Sequence, residues 1–144
     1  MPVPDRIERT LELAHPPEAV WRALTTAGGL GGWFGTSADV DLRPGGKAHV
    51  RWDENTSAIL WINVVEQPRR FAYTWGIEGL PDSDPRRTYV EFTLEPTGTG
   101  TRLTVVESGF AQIPDALLER AYEGNVKGWE QELGELVTYL DAAA

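Results

Sequence analysis

Few side chains in this 144-residue chain can do covalent or acid–base chemistry, and their placement narrows the field. There is no cysteine, which removes disulfides, thiolate metal sites and thiol nucleophiles together. Of the two histidines, His15 precedes Pro16-Pro17, and His49 falls on the polar parity of an alternating segment. Neither stands at metal-ligand spacing from another histidine or a carboxylate, so neither a metal nor another cofactor is expected. Ser37 and Ser108 have no histidine placed as a base, which argues against a serine nucleophile. Gly28-Gly29-Leu30-Gly31-Gly32 is no phosphate loop, because it leads into Trp33 with no lysine and no preceding strand. Asp82, Asp84, Arg86 and Arg87 share a loop and are most simply solvated charges.

One carboxylate stands apart. Leu103, Val105 and Glu107 share a face by strand parity, and the first two are core residues. Glu107 then points inward, near the open end of the sheet. A carboxylate in an apolar pocket resists ionisation and can act as an acid, a base or a ligand anchor. The competing reading is a wet strand end, with the carboxylate reaching solvent or an arginine.

Aromatic residues are the stronger signal: Trp33, Phe34, Trp52, Trp61, Tyr73, Trp75, Phe110, Tyr122 and Trp129. Large aromatic walls with few polar groups suit an apolar or flat ligand. Each one alone reads more readily as core filling, and the ligand reading rests on the group. These nine with Glu107 form the expected ligand-binding set. No catalytic residue is assigned, and Glu107 is the candidate acid or base.

The elements that must position them follow from periodicity. Arg6 to Ala14 alternates as a half-buried strand, stopped by His15-Pro16-Pro17. Pro17 to Leu24 starts a short helix with proline in its first turn. Ala27 to Gly35, with five glycines, reads as a weak second helix or a mobile loop. Six strands follow in hairpin order: Ser37–Leu42, Lys47–Asp53, Ser57–Glu66, Phe71–Trp75, Thr88–Glu95 and Thr101–Ser108. From Pro114 to Ala144, Leu118, Tyr122, Val126, Trp129, Leu133, Leu136 and Leu140 recur at steps of three and four. They form one stripe of a long helix. Asp115, Glu119, Glu123, Glu130, Glu132, Glu135 and Asp141 are assigned to its outer face. Gly124, Gly128 and Gly134 either open cavity space or allow close helix–sheet approach. A single domain, 1–144, with a curved sheet around this helix accounts for the order.

Composition bounds the partners. With 41% hydrophobic residues and no long apolar run, a soluble protein without a membrane span is expected. Met1 to Arg6 lacks the apolar core of a signal peptide, so a cytoplasmic location is expected. The net charge of −9 argues against nucleic acid and anionic membrane surfaces.

Several phrases carry a resemblance. They are Pro17 to Thr25, Trp33, Asp41-Leu42-Arg43-Pro44-Gly45-Gly46, Glu66 to Trp75, Gly100 to Thr104, Glu107-Ser108-Gly109-Phe110 and Gly128-Trp129. In this order the chain resembles the activator of heat-shock protein 90 ATPase homologue-like family, often filed with polyketide cyclases, of the START/SRPBCC superfamily. The resemblance implies an α+β helix-grip (Bet v-like) fold: an antiparallel seven-stranded curved sheet around a long C-terminal helix, in the order β-α-α-β6-α. It leaves the activity open, because that fold hosts lipid carriers, hormone receptors, cyclases and co-chaperone domains. The family often carries a histidine where Glu107 stands. Its second helix is usually less glycine-rich, which suggests a floppy pocket lid here.

Three functions are therefore weighed. The favoured one is a carrier or sensor binding a small hydrophobic or aromatic ligand, oriented by Glu107 or Tyr73. A co-chaperone-like domain stimulating a chaperone ATPase, with a role in stress response, is the second. A cyclase- or lyase-type enzyme with one acid–base group is the third, and no arrangement compels it. Monomer and homodimer are both open.

Overall fold

The computed structural model describes residues 4–77, 80–81 and 83–143. Asp82 and the first three residues, on which part of the loop and N-terminal readings rest, lie outside that set.

Strand β1, Arg6–Leu13, buries Ile7 and Leu13 and turns its charged residues outward. Helix α1, Pro17–Thr25, has proline at its start and Glu18 in its first turn, where both suit an N-terminus. It buries Val20, Trp21, Ala23 and Leu24. A short helix, α2, Ala27–Gly29, follows directly. Its N-cap Thr26 accepts a hydrogen bond from the Gly29 amide at 2.9 Å.

The chain then tightens into a π-helical turn, Leu30–Phe34, burying Leu30, Trp33 and Phe34. This segment corrects the expectation of a floppy lid. A Cβ at Gly29 would lie 2.5 Å from the Arg22 carbonyl oxygen, and one at Gly32 would lie 2.4 Å from the Tyr139 ring. The glycines let the backbone press against α1 and against the long helix, so they serve packing here.

Six antiparallel strands come next: β2 Ser37–Val40, β3 Lys47–Arg51, β4 Ser57–Glu66, β5 Arg70–Gly76, β6 Arg87–Thr97 and β7 Gly100–Ser108. The spatial order is β1-β7-β6-β5-β4-β3-β2, so the first strand closes onto the last and β2 forms the other edge. Register follows hydrophobic parity: Leu103, Val105 and Glu107 on β7 all face inward, as do Ala48 and Val50 on β3. Helix α3, Asp115–Ala143, closes the concave side through Ala121, Trp129, Leu133, Leu136 and Leu140. The α+β helix-grip architecture expected from the sequence is the one observed.

The far end of α3 is tied down by His15, whose Nε2 lies 2.8 Å from Asp141 Oδ1. A tie at that end leaves the grip to open elsewhere, beside Trp129.

Candidate functional site

Between α3 and the β3–β5 part of the sheet lies a cavity of about 530 Å³, open to solvent on one side. The π-helical turn supplies Phe34, the bend after β3 supplies Trp52, β4 supplies Ala58 and Ile59, and β5 supplies Trp75. Asn125, Gly128, Trp129 and Glu132 come from α3. Their spacing of three, one and three residues puts all four on one helical face. The rings form a continuous wall: Phe34 lies 5.1 Å from Trp52, 5.8 Å from Trp75 and 6.0 Å from Trp129, centroid to centroid. Trp75 and Trp129 are 5.8 Å apart. No lysine, arginine or histidine stands among the described lining residues.

Beneath this wall Glu107 is fully buried. Its carboxylate accepts from Trp75 Nε1 at 2.8 Å, Trp129 Nε1 at 2.8 Å and Asn125 Nδ2 at 2.9 and 3.0 Å, and also from the Thr88 hydroxyl. Four donors from β5, β6 and α3 thus converge on one acceptor. Inward orientation follows strand parity, but both readings of the head group are corrected. It reaches neither solvent nor an arginine, and it does not line the cavity as an unengaged acid or base. Instead it binds the backs of two cavity tryptophans and fixes their ring planes. This knot has a cost: a buried charge needs all its partners, because its desolvation is otherwise uncompensated.

Glu132 is the carboxylate that meets the cavity. Its Oε2 is buried and has no hydrogen-bond partner. Burial pushes the carboxyl up to about 7, the charge of Glu135 adds to the rise, and the Trp52 indole works against it. The outer-face assignment of Glu132 is therefore wrong. It follows Trp129 by three residues and Gly128 by four, so it sits beside the buried stripe rather than opposite it. Asn125, four residues before Trp129, also lines the cavity and carries no assignment from sequence. The signal was available in the i, i+3, i+4, i+7 set from Asn125 to Glu132, but it was masked because one member is polar and one is acidic.

Behind Trp75, 5.5 Å away by ring centroid, Tyr73 is buried with a hydroxyl that has no partner. Burial, with the charges of Glu107 and Glu132, pushes this phenol well above the usual tyrosine range. It stays a neutral donor.

The expected set thus divides. Phe34, Trp52, Trp75 and Trp129 line the cavity, with Glu107 and Tyr73 behind them. Four others do not reach it. Trp33 is core, its Nε1 donating to the Ala23 carbonyl at 2.6 Å. Trp61 has the parity opposite to buried Leu60 and Ile62, and Arg87 covers it with the guanidinium carbon 3.5 Å from the ring centroid. Phe110 and Tyr122 pack edge to face at 5.2 Å near the start of α3, away from the mouth. The glycine-rich turn and the long helix meet at the cavity, whereas Phe110 packs in a separate part of the core. Gly128 resolves its alternatives, because a Cβ there meets nothing within 4 Å. It opens space.

Among the described residues no cluster of three or more metal-ligating side chains occurs, and no helix is long and apolar enough to cross a membrane. Residues 14–141 match the family model described as Activator of Hsp90 ATPase homolog 1-like protein. No curated protein matches the sequence. Among solved structures, protein MLL2253 from Mesorhizobium loti is 33% identical over 96% of this chain and 98% of its own, with a TM-score of 0.82. CalU16 from Micromonospora echinospora is 26% identical over 94% of this chain and 75% of its own, with a TM-score of 0.70. An HSP90 activator from Plasmodium falciparum shares the fold at 20% identity, over 96% of this chain and 97% of its own, with a TM-score of 0.76.

Proposed function

This chain belongs to the activator of Hsp90 ATPase homolog 1-like family, and from that premise we propose that it is a small-molecule carrier or sensor. Its ligand is apolar or aromatic and lies between the sheet and α3. One observation carries the reading: an open cavity of about 530 Å³ walled by Phe34, Trp52, Trp75 and Trp129. That volume falls within the roughly 300–1,000 Å³ of small-molecule sites, and the wall is the aromatic kind that such sites use.

Chaperone stimulation, the activity in the family's name, would call on an outer surface instead. Among the described residues Leu42 is the one large hydrophobic that is exposed, at 38%, which favours the cavity over an apolar docking face. A cyclase- or lyase-type reaction would need an acid–base group facing the ligand, and Glu132 rather than Glu107 holds that position.

Native mass spectrometry of the purified protein, with extraction of what co-purifies, tests the proposal. A defined apolar species is expected on the protein, and it should be lost in Gly128→Leu, whose side chain projects into the space found at Gly128. An unliganded protein that gains no mass with a hydrophobic compound library would sink the carrier reading. Stimulation of a chaperone ATPase by Gly128→Leu as strong as by the parent chain would support the second function in its place.

A further inference from the structure

The charge and hydrogen-bonding balance of the cavity restricts its ligand further than shape alone. Glu132 is the only ionisable side chain among the described lining residues. The remaining lining is aromatic, aliphatic, glycine, or the neutral polar groups of Thr56, Ser57 and Asn125. Asn125 is already engaged, since its amide donates to both oxygens of Glu107. An anionic ligand would find no cation here and would face the Glu132 carboxylate directly, with the buried Glu107 behind it. A neutral apolar ligand would leave Glu132 Oε2 buried and unpartnered, and burying an unmatched acceptor is unfavourable. A ligand cation resolves both problems. It donates to Glu132, and the indoles of Trp52 and Trp75, both only half-buried, attract its positive charge.

We infer that the ligand of this cavity is an aromatic or apolar amine, bound as its ammonium form against Glu132 within the ring of indoles. The inference rests on the carrier reading above and names its ligand class.

Three matched probes separate the two. They are 2-(2-naphthyl)ethylamine, the neutral 2-(2-naphthyl)ethanol and the anionic 2-naphthylacetate, titrated against the intact protein at pH 8 by calorimetry. The amine is expected to bind about tenfold more tightly than the alcohol, and the carboxylate weakest of the three. Glu132→Gln should bring amine and alcohol within about twofold while leaving alcohol binding in place.

The pH response adds a readout that packing would not give. Amine affinity should rise about tenfold from pH 6 to pH 8, following the ionised fraction of a group that titrates near 7. The other titratable groups nearby are Glu135 on the same helix, Glu107 on β7 and Tyr73 on β5. Tyr73 stays neutral across this interval. Equal affinities for amine and alcohol in the parent protein, or tightest binding of the carboxylate, would overturn the amine assignment and leave the carrier reading standing. Binding of none of the three probes would count against the cavity as a ligand site, and the amine assignment would fall with it. The comparison within the parent protein decides the matter even if Glu132→Gln does not fold.

Discussion

Two carboxylates within one site do opposite work, and the difference lies in what surrounds each head group. Glu107 is matched by four donors and holds the sheet, α3 and two indoles together. Replacing it with Gln keeps the volume but turns an N–H₂ toward donors, so at least one buried indole or amide loses its partner. Glu107→Gln should lower unfolding stability by roughly 2–3 kcal/mol in urea denaturation. A change below about 0.5 kcal/mol would show that the knot is not structural. Glu132 behaves the other way. Its folded value near 7 lies above the ordinary 4.5, so the folded state binds more protons than the unfolded state between those values. Its contribution is therefore most favourable below about pH 4.5, declines as pH rises, and is fully lost above about 7. Glu132→Gln should lack that decline. It is expected to melt higher than the parent above pH 7 and close to it near pH 4.5, as read by thermal unfolding across pH.

At the scale of elements, α3 is asked to be both a core helix and a cavity wall. Its stripe from Trp129 to Leu140 fills the grip, while Gly128 and Asn125 leave room at the mouth. Glycine in a helix interior costs about 1 kcal/mol relative to alanine, so its retention at Gly128 is paired with open space. Gly128→Leu should therefore be neutral or stabilising while abolishing uptake of the naphthyl probes. Gly134 is also exposed and open, but it does not line the cavity. Gly134→Ala should stabilise by about 0.5–1 kcal/mol and leave probe affinity unchanged. The pair separates helix propensity from cavity filling, with denaturation and calorimetry run side by side. If both variants lost binding, the effect would belong to the helix as a whole rather than to the space at Gly128. The opposite packing logic holds at Gly29 and Gly32, where the missing side chain permits close approach to α1 and α3 respectively.

For the whole molecule, α3 is joined to His15 through Asp141 near its C-terminus, and the grip is open where the aromatic wall meets solvent. A ligand seated there bridges the sheet and α3, so it binds the folded state and stabilises it by mass action. Naphthylethylamine at about 100 times its Kd should stabilise the fold by about 2.7 kcal/mol, a rise of roughly 5–10 °C in Tm. An unchanged Tm at saturation would mean that the probe binds the unfolded chain as tightly as the folded one.

Strand parity, the long helical stripe and the turn residues were legible in the chain, because each depends on neighbours two to four positions away. The succession of strands and helices along the chain, the inward face of Glu107 and the core role of Trp129 follow from such local periods. Which aromatic residues share a cavity was not legible in the same way. Trp61 and Trp75 both lie on central strands, yet one faces Arg87 and the other faces α3. Phe110 and Trp129 both belong to the expected ligand-binding set, yet they pack in different parts of the core. Glu132 looked outward because a carboxylate beside an apolar stripe is ordinarily solvated. Only the curvature of the sheet under α3 brings it against the indoles. Sequence determined the elements, since their periods are local; tertiary structure decided the site, since a cavity exists only where distant elements fail to touch.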